Sequence, residues 1–361
     1  CRCPMALDEL RKKIDELDSE IIRLLNERAK LAQEVGKVKN QDNHHIYVPS
    51  REAEIYERLK RENPGPLSTK CLLAIYREIM SGSFELEREL KVSYLGPEGS
   101  FSHLAAHRKF GACVEYLPEM DIGSVFISVS KDRADYGVVP IQNSQEGGVA
   151  DALDTFLEVD LSVCSELELP ITQCLLSNCE KESIQRVYSK PQALAQCRRW
   201  LRENFPDAEL IEEGSTALAA RRAAREEGSA AVASEMAAEI YKLKILEHSI
   251  EDGLRNVTRF IIIGDQKTVP TGRDKTSILF RAKNEPGTLC EMLLPLRDRG
   301  VNVLWLDYRP SRELHWEYIF FLDIEGHQED PDVGEAIEEL RGIASSLTIL
   351  GSFPRAAEET T

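Results

Sequence analysis

Apolar residues recur at Leu7, Leu10, Ile14, Leu17, Ile21 and Leu24, then at Leu31, Val35 and Val38. These alternating steps of three and four predict one long helix over residues 7–39, packed against other helices. At 1.5 Å per residue it would run about 50 Å. The seam position between Leu24 and Leu31 is filled by Arg28. A guanidinium left unpaired in a helical core is costly, so an anion should meet it: Glu20, Glu27, a partner helix or a ligand. Lys39 follows eleven residues later and returns to within about 20° of Arg28 around the axis. Two cations on one inward face suit a dianion. Arg11 lies roughly 100° around the axis from Arg28 and about 25 Å along it, too far for one small ligand to touch both. A helix of this length exceeds what a small monomeric domain covers, so an intertwined dimer is expected, with Arg11 completing the partner's site.

Beyond this helix, Ser50 is positioned to cap a second helix over residues 51–62. Asn63-Pro64-Gly65-Pro66 stops it, and Ser68 can cap a third helix running to about residue 90. Residues 1–90 therefore read as all-helical. The texture changes at Lys91, where short strands (92–95, 136–141, 260–263) alternate with helical patterns, so residues 91–265 read as α/β. A polar stretch with Pro270 and Gly272 makes 266–275 a linker. Residues 276–361 then give strand (276–282), helix (286–299), strands (301–308 and 315–324), helix (333–345) and strand (347–350). This βαββαβ order is ferredoxin-like.

Composition narrows the function. The 361 residues allow two or three domains, and the net charge of −17 argues against a nucleic-acid partner. No apolar run approaches the roughly 20 residues of a membrane span, and Cys1-Arg2-Cys3-Pro4 has no signal-peptide pattern, with Met5 as the expected natural start. The nine cysteines are scattered, without a disulfide framework or a paired zinc motif, so reduced thiols in the cytoplasm are expected. His44-His45 reads as a solvated pair. No metal is assigned.

Arg11, Arg28, Lys39 and Arg51, with Ser83 and Glu87 four apart on one face of the third helix, resemble the all-α chorismate mutase family. The resemblance implies that Arg11 and Arg28 bind carboxylates, that Ser83 lies near the ligand, and that Lys39 and Glu87 face the ether oxygen. The pericyclic step needs no nucleophile. The protein holds a compact dicarboxylate and stabilises charge on that oxygen. The chain departs from the family at Tyr47-Val48-Pro49, where many members carry an acid for the substrate hydroxyl; Glu52 or backbone would have to replace it. Glu87, where Gln is common, must be protonated to donate a hydrogen bond.

Four polar loops stand at strand ends in residues 91–265: Gly96-Pro97-Glu98-Gly99-Ser100, Pro140-Ile141-Gln142-Asn143-Ser144, Ser189-Lys190-Pro191-Gln192 with Gln196 beyond it, and Asn256-Val257-Thr258-Arg259-Phe260. In this order they resemble the prephenate dehydratase family, whose two-lobed α/β fold is similar to periplasmic binding proteins. The resemblance implies that Thr258 assists the leaving hydroxyl and that Asn143, Ser189 and Gln196 orient prephenate. Arg259 would hold the pyruvyl carboxylate, and His103 or Glu98 are alternative proton sources. The other readings are a non-catalytic two-lobed ligand sensor fused to a mutase, and a dehydratase preferring arogenate. No strand precedes a Gly-x-Gly-x-x-Gly turn, which excludes a nicotinamide enzyme of that type.

Residues 276–361 resemble an ACT domain. Gly287, Thr288 and Leu289 match its loop-to-helix start, and Asp307, Tyr308 and Arg309 stand where dehydratases carry Glu-Ser-Arg. The implied effector is phenylalanine. Together the resemblances imply a cytoplasmic homo-oligomer, dimer or tetramer, that converts chorismate through prephenate to phenylpyruvate without a cofactor.

Overall fold

A computed structural model describes residues 7–41, 45–253, 256–310 and 318–356. Cys1, Cys3, Met5, His44 and the start of the strand expected at 315–324 lie outside the described residues. The chain divides into two compact units: residues 1–48, 58–90 and 110–115 form the first, and 49–57, 91–109 and 116–361 the second.

The first ninety residues are mostly helical. Helix α1 spans Leu7–Gln41, α2 Pro49–Glu62 and α3 Thr69–Glu87, and the first nine residues of α2 count with the second unit. Ser68 caps α3 as expected, its hydroxyl accepting from the Cys71 N–H. Ser50 does not cap α2. Val48 holds the cap position and Pro49 opens the helix, because a proline's fixed φ and missing N–H suit the first turn. Tyr47 is buried between Phe84 and Phe110, with ring centroids 6.1 and 5.1 Å away. The α1 seam itself is open in the single chain: Leu10, Ile14, Leu17, Ile21, Leu24 and Leu31 are all at least 41% exposed.

The second unit contains three sheets. The first lobe orders its strands as Glu115–Glu119, Lys91–Leu95, Tyr136–Asn143, Val257–Gly264 and Ser162–Pro170, with Gly147–Gly148 pairing on Tyr136–Asn143. The second lobe runs Lys244–Glu247, Cys174–Ser177, Ser229–Ala233, Arg186–Ser189, Glu209–Glu212. The third sheet, Val303–Pro310, Tyr318–Glu325, Asp274–Ala282 and Ser346–Pro354, carries the helices Thr288–Asp298 and Pro331–Ile343 in the βαββαβ order.

This third sheet is apolar on both faces. Ile278, Phe280, Leu322 and Ile324 pack on its own helices through Met292, Leu296 and Leu340. Leu279, Ile319, Phe321, Leu350 and Phe353 join one continuous core with Val139, Ile141, Phe156 and Ile261 of the first lobe. Gly351 lies so close to the Val163 carbonyl that no Cβ fits there. The 266–275 stretch is correspondingly anchored. Gln266 and Thr268 are buried, Thr268 donates to the Ser352 carbonyl, and the N–H groups of Thr271 and Gly272 reach Asp274 at 2.7 and 3.0 Å. The last strand, read as four residues, is nine long, since Gly351 and Ser352 carry the pairing past the apolar run.

Candidate active sites

In the helical unit, two pairs of side chains meet across α1 and α3. Arg28 Nη1 donates to Ser83 Oγ at 2.5 Å, and the Ser83 hydroxyl donates to the Ile79 carbonyl at 2.8 Å. The acids expected to neutralise Arg28 on its own helix, Glu20 and Glu27, are both held by Arg23. Three turns on, Lys39 Nζ donates to Glu87 Oε2 at 3.0 Å and to the Ile46 carbonyl at 2.7 Å. Their side chains are 21% and 8% exposed. Buried Gly36 permits this approach, since a Cβ on it would sit 2.9 Å from the Glu87 Cα. Arg28, Lys39, Ser83 and Glu87 thus line one α1–α3 face. Arg11 is elsewhere on α1, 67% exposed and 3.7 Å from Asp8. Arg51 belongs to the second unit, exposed and paired with Glu54. Glu52, the expected substitute acid, is engaged by Lys109 at 2.6 Å, with both side chains nearly buried.

In the second unit, Asn143 is the centre of the first lobe's polar group. Its Oδ1 accepts the N–H groups of Gln145 and Glu146 at 2.9 and 3.2 Å. Two backbone donors fix which way the amide points, so Nδ2 faces Asn256 Oδ1 and Thr258 Oγ1, each at 2.8 Å. Thr258 therefore accepts from Asn143 and keeps its own O–H free to donate. Asn143, Asn256 and Thr258 are at most 9% exposed. The sequence reading did not single out the Asn256 side chain, and only its place two residues before Thr258 could have flagged it.

Gln196 Nε2 of the second lobe donates to Gln145 Oε1 at 3.1 Å, beside the Asn143 turn. Ser189 is fully buried and donates to the Val232 carbonyl at 2.6 Å, within the second-lobe sheet. The Gly96–Ser100 turn is pinned from the same lobe, since Tyr241 and Ser234 donate to the carbonyls of Glu98 and Gly99.

His103 stacks on Tyr94 with ring centroids 4.5 Å apart and accepts the Gly99 N–H at Nδ1, 3.2 Å away. Burial, helped by His107, lowers its pKa to about 4. It is neutral near pH 7 and a poor source of a proton there. A base whose folded pKa lies below its ordinary 6.5 contributes stability above that value and loses it as pH falls toward 4. The melting temperature of His103→Phe should therefore lie closest to wild type at the acid end of that window. A gap constant with pH would refute the linkage.

Comparison with known proteins gives the family. Residues 10–88 match chorismate mutase type II, 92–268 prephenate dehydratase and 276–342 the ACT domain. The bifunctional chorismate mutase/prephenate dehydratase of Aquifex aeolicus is 47% identical over 355 residues, covering 97% of this chain and 98% of that protein. The chain belongs to the bifunctional chorismate mutase/prephenate dehydratase family. The corresponding Pseudomonas aeruginosa protein is 43% identical over 357 residues, 97% of this chain and 98% of its own. Among solved structures, the prephenate dehydratase from Arthrobacter aurescens in complex with L-Phe has a TM-score of 0.69 at 32% identity, covering 74% of this chain and 90% of that one.

Within this bifunctional chain, Arg259 departs from the expected carboxylate-binding position. Its Nε donates to Glu166 Oε2 at 2.7 Å and its Nη1 to Asp323 Oδ2 at 2.5 Å, with only 7% of the side chain exposed. Burial alone would raise the Glu166 pKa, but Arg259 and Lys275 outweigh it and hold the carboxyl below its ordinary value. Two carboxylates already meet the guanidinium, so a substrate carboxylate would have to displace one of them.

In the ACT portion, Gly287 caps the Thr288–Asp298 helix in the left-handed region, with φ 93°, and Leu289 is exposed. Side chains alternate along Val303–Pro310. Tyr308 points outward against Tyr318, whereas Asp307 abuts Gly148 and Arg309 Nε donates to Asp154 Oδ1 at 3.1 Å. The Asp-Tyr-Arg string is thus split between two surfaces. Among the described residues, no helix is long and apolar enough to cross a membrane.

Proposed function

We propose that this chain performs two consecutive reactions, chorismate to prephenate and prephenate to phenylpyruvate, with the following residue roles. The full-length match to bifunctional relatives carries the pair of activities. For the first reaction, Arg28 binds a substrate carboxylate with Ser83 beside it, and Lys39 donates to the ether oxygen as its bond breaks. Glu87, 3.0 Å from the Lys39 ammonium, holds that donor in place. Glu87→Ala should therefore lower mutase activity, and wild-type rates in that variant would remove Glu87 from the step.

For the second reaction, prephenate's ring carboxylate leaves as CO2. The released electron pair aromatises the ring and expels the C4 hydroxyl, which takes up a proton to leave as water. Thr258 donates the hydrogen bond that draws this hydroxyl away, Asn143 keeps the threonine oriented, and Gln196 faces them from the second lobe, whereas Ser189, buried within its own sheet, supports that lobe without meeting prephenate. A group that only assists departure is enough, because aromatisation supplies the driving force.

The ACT portion is assigned to phenylalanine, supported by the L-Phe complex of the Arthrobacter protein. Homo-oligomerisation is supported by the open apolar seam of α1, which a second copy would cover, with Arg11 entering that copy's mutase site. A monomeric mass by light scattering would overturn this part. The decisive assay incubates the protein with chorismate alone and separates the products. Phenylpyruvate is expected. Accumulating prephenate would favour an arogenate preference or a sensing role for the second unit, and untouched chorismate would refute the mutase assignment.

A further inference from the structure

Arg259 follows Thr258 directly in the strand Val257–Gly264, and successive side chains of a strand face opposite ways. While Thr258 meets Asn143, Arg259 meets a buried group of charges on the far side. Glu166 Oε2 accepts from Arg259 Nε at 2.7 Å and from Lys275 Nζ at 2.8 Å, and Glu166 Oε1 accepts the Ala356 N–H at 2.9 Å. Asp323, in the ACT strand Tyr318–Glu325, accepts from Arg259 and from the Ser277 hydroxyl. All four charged side chains are at most 9% exposed. Two cations and two anions balance.

Their position in the ladder matters. Opposite Tyr136–Asn143, Thr258 pairs with Asn143 and Arg259 with Gln142, but Phe260 pairs with Pro140, a register shift. The skipped residue is Ile141, on the Tyr136–Asn143 strand, and such a bulge re-aims the side chains beside it. Toward Ser162–Pro170 the register runs unbroken here, with Thr258 opposite Leu169 and Arg259 opposite Glu168, so the backbone moves as one strand while Asn143 on one face and the ion cluster on the other fix the two side chains. A second ACT contact, Asp307 against Gly148, bears on the same region, since Gly148 pairs with Gln142.

We infer that Arg259 is a positioning residue of the dehydratase, and that Asp323 of the ACT sheet sets the placement of Thr258 through it. The inference rests on the reading that Thr258 assists the leaving hydroxyl. Any movement of the ACT sheet carries the Asp323 carboxylate with it. The guanidinium must then follow or leave a buried anion unpaired, and Thr258, one residue away, shifts in either case. The coupling needs no direct contact between the ACT sheet and prephenate.

The test uses the full-length protein carrying Asp323→Asn, with kcat and KM for prephenate measured per folded molecule, as judged by circular dichroism. A misplacement on the ångström scale should lower kcat about 10- to 100-fold and leave KM near wild type. Ser277→Ala, which loosens Asp323 without removing its charge, should give a smaller loss of the same kind, and it decides the matter if Asp323→Asn fails to fold. Wild-type kcat in the folded variants would overturn the inference, as would a raised KM with kcat intact, which would return Arg259 to substrate binding. Thr258→Ala separates the two levels. If that variant is inactive while Asp323→Asn is normal, only the coupling fails; if Thr258→Ala turns over normally, the underlying reading fails.

Discussion

Thr258→Ala is expected to lower dehydratase kcat by roughly 10²- to 10⁴-fold, the range for a positioned group that manages a proton in the transition state. The prephenate KM should stay within a few-fold of wild type. An aliphatic hydroxyl is an ordinary weak acid, so its contribution comes from orientation. Asn143 donates into the Thr258 oxygen at 2.8 Å, and two backbone N–H groups stop the amide from turning over. The threonine proton is then the one available to a departing hydroxyl. Thr258→Ser, which restores a hydroxyl on the same strand, should recover much of the rate. Thr258→Ala leaves the Asn143 amide short of one acceptor, and Asn256, also 2.8 Å away, keeps it in place. Steady-state kinetics on supplied prephenate, with mutase turnover measured on the same sample, separates a chemical loss from a folding loss. A near-normal rate in Thr258→Ala would exclude the threonine from the mechanism.

The second large effect is expected at Lys39. Lys39→Ala should reduce mutase kcat by roughly 10²- to 10³-fold, the usual cost of removing one donor aimed at developing negative charge. Conversion of supplied prephenate should be unchanged. Lys39 is the better target than Arg28 because a second carboxylate contact can retain a substrate that has lost one, whereas charge building on the ether oxygen has few donors to meet it. The ammonium also holds Glu87, whose side chain is 8% exposed. Removing it leaves a nearly buried acid without this partner, which costs stability. Lys39→Gln, which keeps a donor but loses the charge, distinguishes these effects. It should recover the fold with only part of the rate, and full mutase activity in either variant would refute the role.

Much of the architecture was legible along the chain because its signals are local. The three- and four-residue spacing of α1, the Ser68 cap and the βαββαβ order each depend on residues near in sequence. The misplaced cap of α2 has the same local character, with Pro49 outweighing Ser50. Polar loops at strand ends also mark Asn143 and Thr258, though not the contact between them. What local pattern could not supply is pairing across distance. Asn143 and Asn256 are 113 positions apart, and Arg259 meets Glu166 and Asp323 at separations of 93 and 64. Read in sequence alone, an arginine beside Thr258 serves equally well as a substrate ligand or as half of an ion pair.

By itself, then, the sequence determined the three kinds of folding unit, the cationic face of α1 and the polar strings at strand ends to which the dehydratase roles are assigned. Periodicity, caps and loop composition act within a few residues and survive without any knowledge of the partner. The tertiary structure decided which group each charge meets: Arg28 the Ser83 hydroxyl rather than Glu20 or Glu27, Glu52 the Lys109 ammonium, and Arg259 the acids of two other strands. It also decided that the ACT sheet shares a core with the first lobe, because Leu279, Phe321 and Phe353 have a buried counterpart only once the strands are assembled. The physical reason is range. A buried charge is stabilised by whatever lies within a few ångströms in space, and the fold alone determines what that is.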